Sequence, residues 1–218
     1  MSDTATATTE SNDERLTVYS DYVCPFCYLG RRSLDAYQAG RDEELKLDWR
    51  PFDLRSGKRN ADGTIDHDAD DGKDEAYYEQ AKQNVEKLRE KYEADEMDVD
   101  LATDVDSLPA QLVSVAVREQ YDYDTWLAFD EGVFAALWHD GRDIGDESVL
   151  VDIAADAGVD ADAVREALAD DERRAALREQ FQAAQQQGIT GVPTFVYDDH
   201  AARGAVPPEQ LKRLVEGA

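Results

Sequence analysis

The only two cysteines of the chain form Cys24-Pro25-Phe26-Cys27, directly after the apolar run 16–23 and directly before a helix-like segment. A dithiol at the junction of a strand and a helix leaves few folds open. The pair belongs at the carboxyl end of a strand, where open α/β sheets carry their sites. A helix N-terminus there presents unpaired backbone N–H groups and partial positive charge, which favour a thiolate at Cys24. Each unit of pKa depression corresponds to about 1.4 kcal/mol in favour of the thiolate. Pro25 suits the first helical turn, because no N–H is required of it and its φ is already helical.

Three other uses of the pair compete with redox chemistry. A structural bridge closing so short a loop restrains the unfolded chain by only ~2 kcal/mol, and a stabilising role would favour a longer loop. A zinc site usually needs four ligands, whereas no second C-x-x-C exists and His67, His139 and His200 are scattered singly. Two inert buried thiols would make the spacing and the proline coincidental. Cys24 and Cys27 are therefore read as a catalytic dithiol, with neither a metal nor a cofactor expected.

Composition narrows the partners. With 218 residues and 42% hydrophobic content the chain can build a real core. Its formal charge is −27, and lysine is scarce. Such a charge repels polyphosphate, so nucleic acid is not an expected partner. The acidity fits either a surface for a basic partner or adaptation to molar salt, where the Debye length falls to about 3 Å. Because the acids are spread along the whole chain, salt adaptation and a haloarchaeal source are the expectation.

Residues 1–14 are small, polar and acidic, without the basic and apolar regions of a signal peptide, and read as a disordered leader. No run approaches a membrane span, so a cytoplasmic protein that does not contact membranes is expected. In that compartment a cysteine pair is more often catalytic than structural.

Along the chain, residues 16–20 read as a strand, 27–39 as a helix and 45–50 as a second strand with Leu45, Leu47 and Trp49 alternating, which makes a right-handed βαβ unit. Residues 56–72 read as an acidic loop. Its Asp66, Asp68 and Asp70 resemble the start of a calcium loop, but Asp71 stands where glycine is needed and Tyr77 where glutamate is needed. Tyr78, Ala81, Val85, Leu88 and Tyr92 then recur at helical spacing, as do Trp126, Phe129, Val133 and Leu137. Asp146 and Asp160 are placed to cap further helices, and residues 161–187 are helix-rich up to Gly188. Strands are expected over 192–197 and 200–205, joined by a turn at Asp198-Asp199, and Pro207-Pro208 opens a last helix. The expected division is a leader over 1–14, one unit from 15–55 and 188–218, and an acidic loop with helical insertion over 56–187.

Pro193 begins a strand expected near the sheet centre, where proline is normally excluded. A cis Val192-Pro193 bond is the expectation, and a trans proline at a strand start is the alternative.

C-P-F-C after a first strand, a helical insertion, and G-V-P-T before a closing β-β-α unit resemble the thioredoxin superfamily in its DsbA-like branch. The stretches Ser20-Asp21-Tyr22-Val23-Cys24-Pro25-Phe26-Cys27-Tyr28-Leu29-Gly30, Trp49-Arg50-Pro51-Phe52, residues 141–145 and residues 188–195 resemble the FrnE-type dithiol–disulfide isomerases. The resemblance implies an α/β thioredoxin fold with a large helical insertion. It also implies that Cys24 is an exposed nucleophile forming a mixed disulfide, that the more buried Cys27 resolves it, and that cis-Pro193 lies against the pair. The Val192 backbone would then bond an extended substrate strand. Protein or small-molecule thiols and disulfides would be the partners, with an unknown redox partner and with monomer or homodimer both open.

Three features of the chain qualify this. Phe26 replaces the histidine of strongly oxidising DsbA enzymes, so a reduction potential well below theirs is expected. No further cysteine pair exists, so isomerisation that needs one is not supported. Asp21, three residues before Cys24, is read either as a group that tunes Cys24 or as an exposed solubilising acid. A kappa-type glutathione transferase or 2-hydroxychromene-2-carboxylate isomerase would need no resolving cysteine, and a peptide-binding or chaperone module would need neither. If the acidity is salt adaptation, helicity followed by circular dichroism falls on dilution from molar KCl; a fold that persists at low salt counts against it.

Overall fold

The computed structural model describes residues 14–60, 63–66, 68–70, 72–99 and 105–217. The expected leader, apart from Glu14, lies outside the described residues, as do His67 and Asp71. The fold is α/β. Strand β1 (Arg15–Ser20) leads into helix α1 (Pro25–Gln38) and strand β2 (Lys46–Pro51). After the loop come helices α2 (Glu75–Lys91), α3 (Leu108–Gln120), α4 (Tyr123–Trp138), α5 (Glu147–Asp156), α6 (Ala161–Ala169) and α7 (Asp171–Gln186). Strands β3 (Thr194–Tyr197) and β4 (His200–Arg203) and helix α8 (Pro208–Glu216) close the chain.

The sheet has the order β2-β1-β3-β4, with β1 parallel to β2 and antiparallel to β3. Alternation sorts its faces. Val18 and Ser20 of β1, Trp49 of β2 and Phe195 of β3 surround a space shared with Leu34 and Arg31 of α1. Tyr19 turns to the other face and packs with Phe52, Ala184 of α7 and Ile189. Helix α7, part of the expected insertion, thus covers the sheet directly. The two-residue turn into β4 puts Asp198 at φ +49°, a conformation aspartate tolerates better than most residues.

One reading is corrected by packing. Of the stripe expected on α2, Val85 is buried while Tyr78 is about half exposed, because only the C-terminal half of the helix meets α1 and the loop before α8. The helix-rich stretch 161–187 is two helices, divided at Asp170, which caps α7 by accepting from the Arg173 N–H at 2.9 Å. Asp160 precedes α6 without a side-chain capping bond, whereas Asp146 caps α5 by accepting from Ser148 N–H.

The helical layer is fixed to the sheet by a buried polar network. Arg31 Nη1 of α1 donates to Asp130 Oδ2 of α4 at 2.8 Å, and Asp130 is fully buried. The Tyr22 hydroxyl is bonded to Asp130 Oδ1 and Ser114 Oγ, each at 2.9 Å, and Trp126 Nε1 donates to Ser114. Removing one member of a buried pair leaves an uncompensated charge, a larger loss than the pair's own net worth. Asp130→Ala is expected to destabilise the protein by about 3 kcal/mol, read from denaturant unfolding in molar salt. An unfolding midpoint unchanged by the substitution would show that the network holds nothing.

Candidate active site

Cys24 is the N-cap of α1, with extended backbone (φ −89°, ψ 114°), and Pro25 follows in the first turn. Asp21 carbonyl accepts from Cys24 N–H at 3.1 Å, and the Cys24 carbonyl accepts from Cys27 N–H at 2.9 Å. The loop 21–24 is thereby wound tightly between strand and helix. Cys24 sulfur caps no helical N–H; its thiol donates instead to the Val192 carbonyl at 3.5 Å, across 168 residues of sequence. The Val192-Pro193 bond is cis, and Pro193 stands one residue before β3, which spares the sheet a missing donor. Gly30 permits the approach: a Cβ there would lie 3.0 Å from Pro193 Cγ and 3.2 Å from Phe195 Cζ.

The two cysteines are unbridged and both are buried, each 3% exposed. The expectation of an exposed Cys24 is therefore corrected: the Val192 carbonyl closes on its sulfur, and Pro25 and Phe26, half-buried, form the outer surface of the turn. Burial pushes the Cys27 thiol well above its ordinary value, and its contact with Cys24 adds to this. The Ser20 hydroxyl and the Asp21 N–H act on the same sulfur in the opposite direction, as hydrogen-bond donors do for an anion.

Asp21 is 1% exposed, so it is not a solubilising surface acid. Its carboxylate accepts from Val23 N–H, Leu54 N–H and Gln111 Nε2 at 3.3, 2.8 and 3.2 Å. Burial nonetheless pushes it up to about 6, with the charge of Asp53 contributing, against bonds from Ser107 and the backbone. Asp53 is itself held by Arg59, which also grips Asp106 and the Gly63 carbonyl and so staples the acidic loop beneath the site.

Sequence spacing and the family resemblance together pointed to Cys24, Cys27, Pro25, Phe26, Asp21, Val192 and Pro193, and all of them lie on two segments that meet at the carboxyl end of β1. Ser20 and Arg31 were not among them. The signal for Ser20 was present, since it is a polar residue at an inward position after Leu16 and Val18. Arg31 follows Cys27 by one helical turn and so shares its face.

An acid whose folded pKa exceeds its unfolded value favours folding most fully below the unfolded pKa, and that contribution is lost as pH rises through the folded one. For Asp21 the window runs from 3.8 to about 6. Relative to Asp21→Asn, the wild type is expected to lose on the order of 2 kcal/mol of unfolding free energy between pH 4 and 7, measured by denaturant titration at fixed salt. A difference that does not vary with pH would rule out a buried titrating Asp21.

Comparison with known proteins agrees with this geometry. The chain is 27% identical over 204 residues to the uncharacterized protein YwbO of Bacillus subtilis (strain 168), covering 92% of this chain and 94% of that one. A probable DsbA oxidoreductase from Streptomyces coelicolor superposes with a TM-score of 0.71 at 24% identity, over 93% of this chain and 88% of that chain. A 2-hydroxychromene-2-carboxylate isomerase superposes with a TM-score of 0.69 at 20% identity, over 92% of each chain. These two structural likenesses show a shared fold. Residues 15–216 match the DSBA-like thioredoxin domain, and the chain belongs to that family.

Proposed function

We propose that the protein is a thiol–disulfide oxidoreductase working through a mixed disulfide at Cys24 that Cys27 resolves. The observation that carries this is the Cys24 thiol at hydrogen-bond distance from the Val192 carbonyl, with Cys27 in the first turn of α1. In the reducing direction, a Cys24 thiolate attacks one sulfur of a substrate disulfide and the other sulfur leaves as a thiolate that takes up a proton. Cys27 then loses its proton and attacks Cys24, forming the internal disulfide and releasing the second substrate thiol. The oxidising direction is the reverse.

The Val192 carbonyl has two lone pairs, so besides the Cys24 thiol it can accept an N–H from an extended substrate strand, and it keeps that capacity when Cys24 loses its proton. Asp21, titrating near 6 at the base of the loop, is the nearby carboxyl we propose to exchange protons with the site. Phe26 supplies neither a cation nor a strong donor, which supports a potential below that of histidine-bearing DsbA enzymes. Within the family, the motif stretches support a FrnE-type enzyme acting on protein or small-molecule disulfides, in the cytoplasm of a salt-adapted organism.

Retention of Cys27 speaks against a thiol-cofactor transferase or isomerase, which needs no resolving thiol. Cys27→Ser, incubated with cell lysate in molar KCl, is expected to accumulate mixed disulfides at Cys24, detected by non-reducing electrophoresis and mass spectrometry. If none form, and the wild type neither reduces nor oxidises a model disulfide, the oxidoreductase reading is sunk. Glutathione conjugation or chromene isomerisation by the same preparation would promote the transferase-like alternative.

A further inference from the structure

Beside Cys27 lies a small cavity of about 10 Å³, at the lower end of the space one water needs. Ser20, Cys27, Arg31 and Trp49 line it, with apolar Leu34 and Phe134. Two residues of this lining each carry a buried donor with no hydrogen-bond partner among the described residues, Trp49 its Nε1 and Arg31 its Nη2. Trp49 is 2% exposed. Arg31 spends Nη1 on Asp130, while its Nη2 lies 3.6 Å from Glu131, beyond hydrogen-bond distance. Buried polar groups in native proteins are nearly always satisfied, and where no protein group serves, a buried water does.

The chemistry of the lining fixes how such a water would point. Indole and guanidinium groups donate and never accept, so together they occupy both lone pairs of a water. Its two protons then face the remaining polar groups, the Cys27 sulfur and the Ser20 hydroxyl. We propose that the cavity is a one-water site that donates to the Cys27 sulfur, and that Trp49 and Arg31 are positioning residues that hold this water as a stabiliser of the resolving thiolate. It rests on the oxidoreductase reading, and its effect falls on the resolving step alone. The Cys27 thiol gives up its proton to solvent, its sulfur bonds to Cys24 and the substrate sulfur departs. The ionisable groups around Cys27 are Cys24 and Arg31 on its own helix, Asp21 at the end of β1, and Asp130 and Glu131 on α4 through Arg31.

Reduced protein in molar KCl is mixed with dithiobis-nitrobenzoate, and the two successive releases of thionitrobenzoate are timed by stopped flow across pH. The first release reports attack by Cys24 and the second reports resolution by Cys27. Trp49→Phe keeps the ring and removes the N–H. It is expected to slow the second release about tenfold, as for loss of one hydrogen bond to a charged group, and to move its pH midpoint upward, leaving the first within about twofold. Because Ser20 also acts on the Cys27 sulfur directly, the wild-type crystal structure, with a water expected in the cavity, keeps the proposal testable if Trp49→Phe does not fold. An unchanged second step in Trp49→Phe overturns it, as does a high-resolution crystal structure of the wild type with no density in the cavity. Absence of both releases in the wild type would instead sink the oxidoreductase reading, and the density in the cavity would still decide the water.

Discussion

Strand β1 is paired on both edges, and the site follows from that. Its parallel register with β2 runs from Arg15 with Lys46 to Ser20 with Pro51, and its antiparallel register with β3 runs from Thr17 with Val196 to Tyr19 with Thr194. Once those ladders close, the residues just past the end of β1 and those just before β3 must adjoin. Cys24 and Val192 are brought within hydrogen-bond distance by the sheet and not by any affinity of their own. Gly30 completes the constraint, since any side chain there would push Pro193 and Phe195 away from α1.

The polar groups buried around this junction divide into two sets. On the side of the acidic loop, Gln111 bonds Asp21 at the end of β1 and Ser107 before α3, and Arg59 joins Asp53 to Asp106 beside them. On the side of the helical layer, Arg31, Asp130, Tyr22, Ser114 and Trp126 do the same between α1, α3 and α4. Trp138 Nε1 donates to the Tyr22 carbonyl at 2.9 Å, so the loop leading to Cys24 is held through backbone as well as side chain. Such networks contribute little net stability but make alternative packings expensive, because each leaves a charge or donor unpaired. A nucleophile sitting between two of them has little freedom to drift.

Much of the fold was legible from spacing. The strands and the first and last helices declared themselves through alternation and proline placement, because each is half-buried and its two faces differ in polarity. Helix α3 is absent from the elements expected above for the opposite reason. Its residues Ala110 through Val117 are all buried, so no face is polar and no period marks it. The run Leu112-Val113-Ser114-Val115-Ala116-Val117 suits a buried strand as well as a buried helix. Tyr78 erred in the other direction: helical spacing gave α2 an apolar stripe, and only contact with a neighbour decides whether a stripe is covered.

By itself the sequence determined the chemistry on offer, which is one dithiol at a strand-to-helix junction, a proline that cannot serve inside a sheet, and a formal charge of −27. Local rules suffice for these, since they depend on residue type and near neighbours. Tertiary structure alone decided that Cys24 would be buried beneath the Val192 carbonyl, that Asp21 would be enclosed and raised to about 6, and that Ser20, Arg31 and Trp49 would share a cavity with Cys27. Burial and desolvation are properties of what packs from elsewhere in the chain, and no local pattern encodes the distance to a partner so far away in sequence.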